Sequence, residues 1–237
     1  MIQLKGIKHS YIRPGGETLT VLNGVDLTLE QGDAVSIVGP SGGGKTTLLN
    51  IVGCLLRPTS GQVLIDGKSV ESMAEKELAR LRNQRVGFIF QGSHLIPTLT
   101  VLENIMLPVW LGAGSSTHGQ LARAHKLAER FGLAQRLNHL PHELSLGQRR
   151  RVSIARALIN KPAILLADEP TNDLDPPRAK QIGDILFSLN KEGLTLLLVT
   201  HRWELARRAE RCYEARDGQL FPVQAQPSEV AAGLIQG

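Results

Sequence analysis

The run Gly39-Pro40-Ser41-Gly42-Gly43-Gly44-Lys45-Thr46 places four glycines, a lysine and a hydroxyl in the spacing GxxxxGK[ST], between the apolar run Ala34–Val38 and an apolar segment of helical pattern. A triphosphate carries several negative charges, and successive backbone N–H groups must close around it with no Cβ in the way. Glycines at 39, 42, 43 and 44 permit that wrap, and the following helix offers its positive N-terminal end. Lys45 then reaches the β- and γ-phosphates, and the Thr46 hydroxyl takes one Mg²⁺ position. A plain Gly-rich turn before a helix is the alternative; a strand and a helix on the correct flanks disfavour it.

A second chemical segment is Ile164-Leu165-Leu166-Ala167-Asp168-Glu169, an apolar strand ending in two carboxylates. In a parallel sheet such a strand delivers Asp168 to the C-terminal edge, where the phosphate loop also lies. Asp168 is a Mg²⁺ ligand through the ion's water shell. Glu169, one residue on, points elsewhere and can polarise the water attacking the γ-phosphate. A third segment, Leu144-Ser145-Leu146-Gly147-Gln148, pairs Ser145 with Gln148 as a capping box before the long helical pattern of Arg149–Ile159.

The elements that must position these groups follow from the apolar pattern. Ala34–Val38, Val63–Ile65, Val86–Phe90, Ala163–Ala167 and Thr195–Thr200 read as strands, and Lys180–Asn190 carries a helical stripe at Ile182, Ile185, Leu186 and Leu189. Buried strands alternating with helices predict a parallel sheet covered on its faces. The N-terminal runs Ile2–Ser10, Thr18–Val21 and Val25–Leu29, broken by PGGE and NG, predict an antiparallel hairpin region. Residues 100 to 161 are mostly helical in pattern, Leu121–Phe131 included, and GAGSSTHG at 112–119 is expected to be a loop.

Composition removes several classes. The chain has 237 residues, 42% hydrophobic and 21% charged, as for a globular protein with ample core. Two cysteines, Cys54 and Cys212, make no disulfide scaffold and suit a reducing compartment. An aromatic share of 4% argues against stacking on single-stranded nucleic acid, and nucleic acid is not an expected partner. The balance of 27 Lys+Arg over 22 Asp+Glu gives +5, compatible with phosphate ligands or an anionic membrane surface. No apolar run approaches the roughly 18–20 residues of a membrane span, and no signal peptide is expected at the start.

The run PHELSLGQRRRVSIARALINKPAILLADEPTNDLD at 141–175 resembles the ATP-binding cassette (ABC) family, with LSLGQ standing for the LSGGQ signature. The resemblance extends over about residues 1–220. It implies an α/β fold: a P-loop NTPase (RecA-like) core with a parallel sheet, an N-terminal antiparallel β region and an inserted helical subdomain at about 92–160. The ATP-binding domain is expected at 1–221 and a tail at 222–237. The resemblance also implies roles. Residues Gly39 to Thr47, with Pro40, Ser41 and Thr47 among them, bind ATP; Tyr11 stacks on adenine. Gln91 joins the Mg²⁺ shell and senses a membrane partner, Asp175 is the D-loop aspartate and His201 the switch histidine at the γ-phosphate.

In this family the signature segment, here Ser145, Gly147 and Gln148, completes the ATP site of a second subunit. The resemblance therefore implies a homodimer holding two ATP, and its closure on ATP and opening after hydrolysis drive an integral membrane permease subunit from the cytoplasmic face of the cell membrane. Leu146 departs from the first signature glycine, and Arg202 stands where Asp commonly follows the histidine. The segment LRNQRVGFIFQGSHLIPTLTVLENIMLP at 81–108 is similar to the lipoprotein-release and macrolide-exporter branch. Residues His94–Val109 are either subdomain core or the place where a coupling helix docks. Soluble translation or repair cassettes usually show tandem cassettes or a long coiled-coil insertion, neither present here. A regulatory ATPase of a division or cell-wall complex, working without transport, is the remaining alternative.

Overall fold

The computed structural model describes residues 1–112 and 117–223. Four strands form an antiparallel sheet in the order β2-β1-β4-β5: β1 (Ile2–Ile12), β2 (Thr18–Leu29), β4 (Ser60–Ile65) and β5 (Lys68–Ser69). Six others form the main sheet. They are β3 (Ala34–Val38), β6 (Val86–Ile89), β7 (Ile164–Asp168), β8 (Thr195–Val199), β9 (Arg211–Arg216) and β10 (Gln219–Val223), in the order β10-β9-β3-β8-β7-β6. The five strands from β9 to β6 run parallel, and only β10 is antiparallel to its neighbour. The helices are α1 (Lys45–Val52), α2 (Glu75–Arg85), α3 (Val101–Leu111), α4 (Thr117–Arg130), α5 (Leu146–Leu158), α6 (Pro176–Lys191) and α7 (Trp203–Ala206).

The near-continuous apolar strands are explained by two separate cores. Along β7, Leu165 and Ala167 point into one core while Ile164 and Leu166 point into the other; along β8, Leu196 and Leu198 divide from Leu197 and Val199 in the same way. The first core joins the sheet to α3, α4, α5 and α6, so the helical insertion packs on the face that α6 also covers. The second joins the opposite face to α1 and the antiparallel sheet. Period-two alternation with both faces covered leaves polar residues only at the ends, Asp168 on β7 and Thr195 on β8.

Four expectations change. Val63–Ile65 belongs to the antiparallel sheet, paired with β1, and not to the parallel one. Asn23-Gly24 is no turn: β2 runs through it, and Gly24, at φ 80°, is the extra residue of a bulge between the pairs Ile7–Val25 and Lys8–Asn23. An antiparallel strand tolerates an inserted glycine without ending, which local turn signals do not reveal. The expected loop at 112–119 already becomes helix at Thr117; residues 113–116 lie outside the described residues. Pro222 and Val223 pair with Tyr213 and Cys212, so the chain is still in β10 where the tail was expected to begin; residues 224–237 lie outside the described residues.

Candidate nucleotide site

The loop between β3 and α1 is shaped by what lies behind it. Gly44 takes φ 80°, and a Cβ there would stand 2.6 Å from the Val21 carbonyl oxygen of β2. At Gly39, φ 141°, a Cβ would collide with the Ala215 carbonyl of β9. Both positions combine a left-handed backbone with a neighbouring strand, so only glycine fits. At Gly39 and Gly44 the glycine is thus required by the walls of the loop.

Lys45 is 9% exposed, and its Nζ donates to the carbonyls of Gly39 at 2.9 Å and Pro40 at 2.7 Å. The ammonium is therefore held inside the loop's curve, with donor capacity to spare. Beside it, the Thr46 hydroxyl donates to Asp168 Oδ2 at 2.8 Å across the end of β7. The other oxygen, Asp168 Oδ1, is buried without a partner. Burial pushes the Asp168 carboxyl above its ordinary value, the Thr46 bond opposes that shift, and the charge of Glu169 adds to it. A hydroxyl and an orphaned carboxylate oxygen beside a phosphate loop fit a Mg²⁺ ion that takes its other ligands from phosphate and water.

Glu169 follows in a left-handed conformation, φ 45°, which turns its side chain away from that of Asp168. Its Oε2 lies 3.0 Å from His201 Nδ1 and accepts the His201 backbone N–H at 3.3 Å. Here His201 is joined to Glu169, and its side chain is 56% exposed. Tyr11, on β1, is 43% exposed and hydrogen-bonded to the Thr47 hydroxyl at 3.2 Å, with His9 edge-on behind it at 4.7 Å between centroids. Tyr11, Ser41, Gly42, Gly44, Lys45, Thr46, Thr47, Gln91, Asp168 and Glu169 line one open groove of about 420 Å³ together with Leu19 and Val21.

Other expected residues stand apart from that groove. Ser145 caps α5, its hydroxyl accepting from Gln148 N–H at 3.3 Å while Gln148 Oε1 accepts from Ser145 N–H at 2.8 Å. Gly147 lies in the first turn of α5 against the stem of Arg178. Asp175 caps α6, accepting from Arg178 N–H at 2.9 Å and pairing with its guanidinium. Of His94–Val109, Val101, Ile105, Met106 and Val109 are core, whereas Ile96 is 41% exposed; just beyond, Trp110 and Leu111 are exposed too.

One anchoring residue escaped the sequence. Arg150, 1% exposed, donates to the carbonyls of Phe90 at 2.8 Å and Gln91 at 2.9 Å, so α5 holds the segment that carries Gln91. Arg156, two turns on, does the same for Ser93 at 2.9 Å and His94 at 2.7 Å. In a run of three arginines nothing local marks the one that turns inward.

This arrangement, a glycine-lined loop with lysine, a hydroxyl–carboxylate pair and a histidine-linked glutamate at one edge of a parallel sheet, is that of a nucleoside triphosphatase. Residues 22–172 match the ABC transporter family, and the chain belongs to it, as an ATP-binding cassette that binds and hydrolyses ATP. It is 47% identical to the uncharacterized ABC transporter ATP-binding protein YknY of Bacillus subtilis, over 94% of this chain and 96% of that one. It is 45% identical to the lipoprotein-releasing system ATP-binding protein LolD of Bacteroides fragilis, over 93% of this chain and 100% of that one. The chain spans 33% of the length of an export ATP-binding/permease relative, MacB of Rhodopseudomonas palustris. A dimeric ATP-binding cassette solved in a post-hydrolysis state with ADP and Pi superposes with TM-score 0.87 at 40% identity, covering 96% of this chain and all (100%) of that one.

Proposed function

We propose that this chain hydrolyses ATP as a homodimer with two ATP at the interface, and that the cycle drives a membrane permease subunit, for export or lipoprotein release. The carrying observation is a division of parts. Lys45, Thr46, Gln91, Asp168 and Glu169 converge on one groove, while the second anion-binding helix start, Ser145 with Gly147, lies outside it. A second copy supplies that helix start to the γ-phosphate, and the two sites form together. No helix among the described residues is long and apolar enough to cross a membrane. We assign the work across the membrane to the permease, with this chain on its cytoplasmic face.

Within the groove each residue has a task. The loop N–H groups and Lys45 bind and orient the β- and γ-phosphates, and Tyr11 offers a face to adenine. Glu169, oriented by His201, accepts the proton of the water that attacks the γ-phosphorus as the bond to ADP breaks. Thr46 and Asp168, with Gln91 in the shell, would hold Mg²⁺, which would neutralise charge developing on the phosphate oxygens. Support for export and lipoprotein release comes from relatives of those names at 47% and 45% identity. The purified chain should release phosphate from ATP with Mg²⁺, and Glu169→Gln should not; equal release by both would overturn the assignment of Glu169.

A further inference from the structure

Arg202 immediately follows the histidine that meets Glu169, and the structure gives it a definite partner. Its Nη2 donates to the Leu174 carbonyl at 3.0 Å, and its own N–H donates to the hydroxyl of the fully buried Thr200 at 3.1 Å. Leu174 is buried in the larger core and immediately precedes Asp175. The stretch between Glu169 and Asp175 is wound tightly: Asn172 N–H bonds to the Glu169 carbonyl at 3.1 Å, and Leu174 N–H to the Thr171 carbonyl at 3.4 Å. Two non-glycine residues in it, Glu169 at φ 45° and Asp173 at φ 61°, hold left-handed conformations. Such backbone persists only where its surroundings fix it.

These contacts close a ring. The chain runs from Glu169 through the turn to Leu174; Arg202 bonds Leu174; His201, its neighbour, bonds Glu169. We infer that Arg202 is a positioning residue that straps the histidine segment to the 171–175 turn, so that a shift of His201 toward a bound γ-phosphate moves Leu174 and Asp175 with it. This rests on the reading of Glu169 and His201 as the hydrolytic pair and of Gly147, whose neighbour Arg178 pairs with Asp175, as part of the dimer face. The strap couples the two ATP sites: the state of one site, felt at His201, is passed to the turn that meets the partner. An aspartate at 202 would offer the Leu174 carbonyl no hydrogen-bond donor, so the strap depends on the arginine that this chain carries.

Arg202→Ala and Arg202→Lys in the full chain test this. Lysine keeps a donor for a carbonyl and alanine does not. For Arg202→Ala, phosphate release should fall about five- to tenfold in kcat and the Hill coefficient for ATP should drop toward 1, while ATP affinity of the single chain stays within about twofold. Arg202→Lys should recover at least about half of kcat and the cooperativity, and it keeps the test open should Arg202→Ala fold poorly. Unchanged kcat and Hill coefficient in Arg202→Ala would overturn the inference. So would a lysine variant as impaired as the alanine one, or a parallel loss of ATP affinity. Failure of the underlying reading shows separately, as wild-type hydrolysis by Glu169→Gln.

Discussion

Lys45→Met separates charge from shape at the phosphate loop. Methionine keeps an unbranched stem of similar length in the space Lys45 occupies at 9% exposure, and it removes the ammonium. A unit charge about 3 Å from a phosphate oxygen, at an effective dielectric of about 20, gains roughly 5 kcal/mol. Much of that is offset, because the ammonium is already bonded to the Gly39 and Pro40 carbonyls at 2.9 Å and 2.7 Å. Hydrogen bonds to charged groups contribute about 1.5–3 kcal/mol net, which is roughly a 10- to 150-fold loss in ATP affinity. Calorimetric titration with ATP reads this directly, with thermal unfolding as the control for fold. An affinity within about twofold of wild type, in a chain that unfolds at the same temperature, would refute the role given to Lys45.

Tyr11→Ala should cost about 1 kcal/mol of stacking, several-fold in ATP affinity, while Tyr11→Phe, which loses only the bond to Thr47, should bind nearly as wild type; equal losses in a fluorescent-ATP titration would contradict a stacking role. Because burial raises the Asp168 pKa, the protonated form is favoured in the fold at low pH and that contribution is lost as pH rises, so Mg²⁺ competes with a proton as pH falls. The Mg²⁺-dependent part of ATP binding should therefore weaken as pH falls, and lose that dependence in Asp168→Asn; a pH-independent Mg²⁺ effect in the wild type would speak against it. Leu146 is 39% exposed at the start of α5, so Leu146→Gly should leave single-chain ATP affinity unchanged and alter only ATP-driven dimerisation; a changed single-chain affinity would place it in the wrong site.

What the sequence showed, and what it hid, divides by the range of the interactions. The Gly39–Thr46 loop, the Ser145–Gln148 cap and the strand ending at Asp168 are local patterns, and each folds as its spacing predicts. Val63–Ile65 has the same apolar composition as β7; which sheet it joins is settled by β1, about sixty residues earlier in the chain, and not by its own residues. Arg150 and Arg202 are the opposite case to the loop. Each acts by donating to backbone carbonyls far away in sequence, of Phe90 and Gln91 for the first and of Leu174 for the second. A carbonyl has no residue type, so no motif records such a bond. Arg202 reads from sequence only as a departure from the family pattern, and in the fold it is tied to the turn before Asp175.

A shared site requires that one chain hold only half of what grips the γ-phosphate. Glu169→Gln keeps the shape of the side chain but removes the charge that takes the proton from water. Lys45, Thr46 and Asp168 are untouched, so ATP should still bind, and the γ-phosphate should stay clamped between one chain's loop and the other's Ser145. Size-exclusion chromatography with light scattering, in ATP and Mg²⁺, measures the outcome. The mutant should run at twice the single-chain mass while the wild type, without its membrane partner, runs mainly as the single chain. A mutant that binds ATP, does not hydrolyse it and remains a single chain would contradict the shared site.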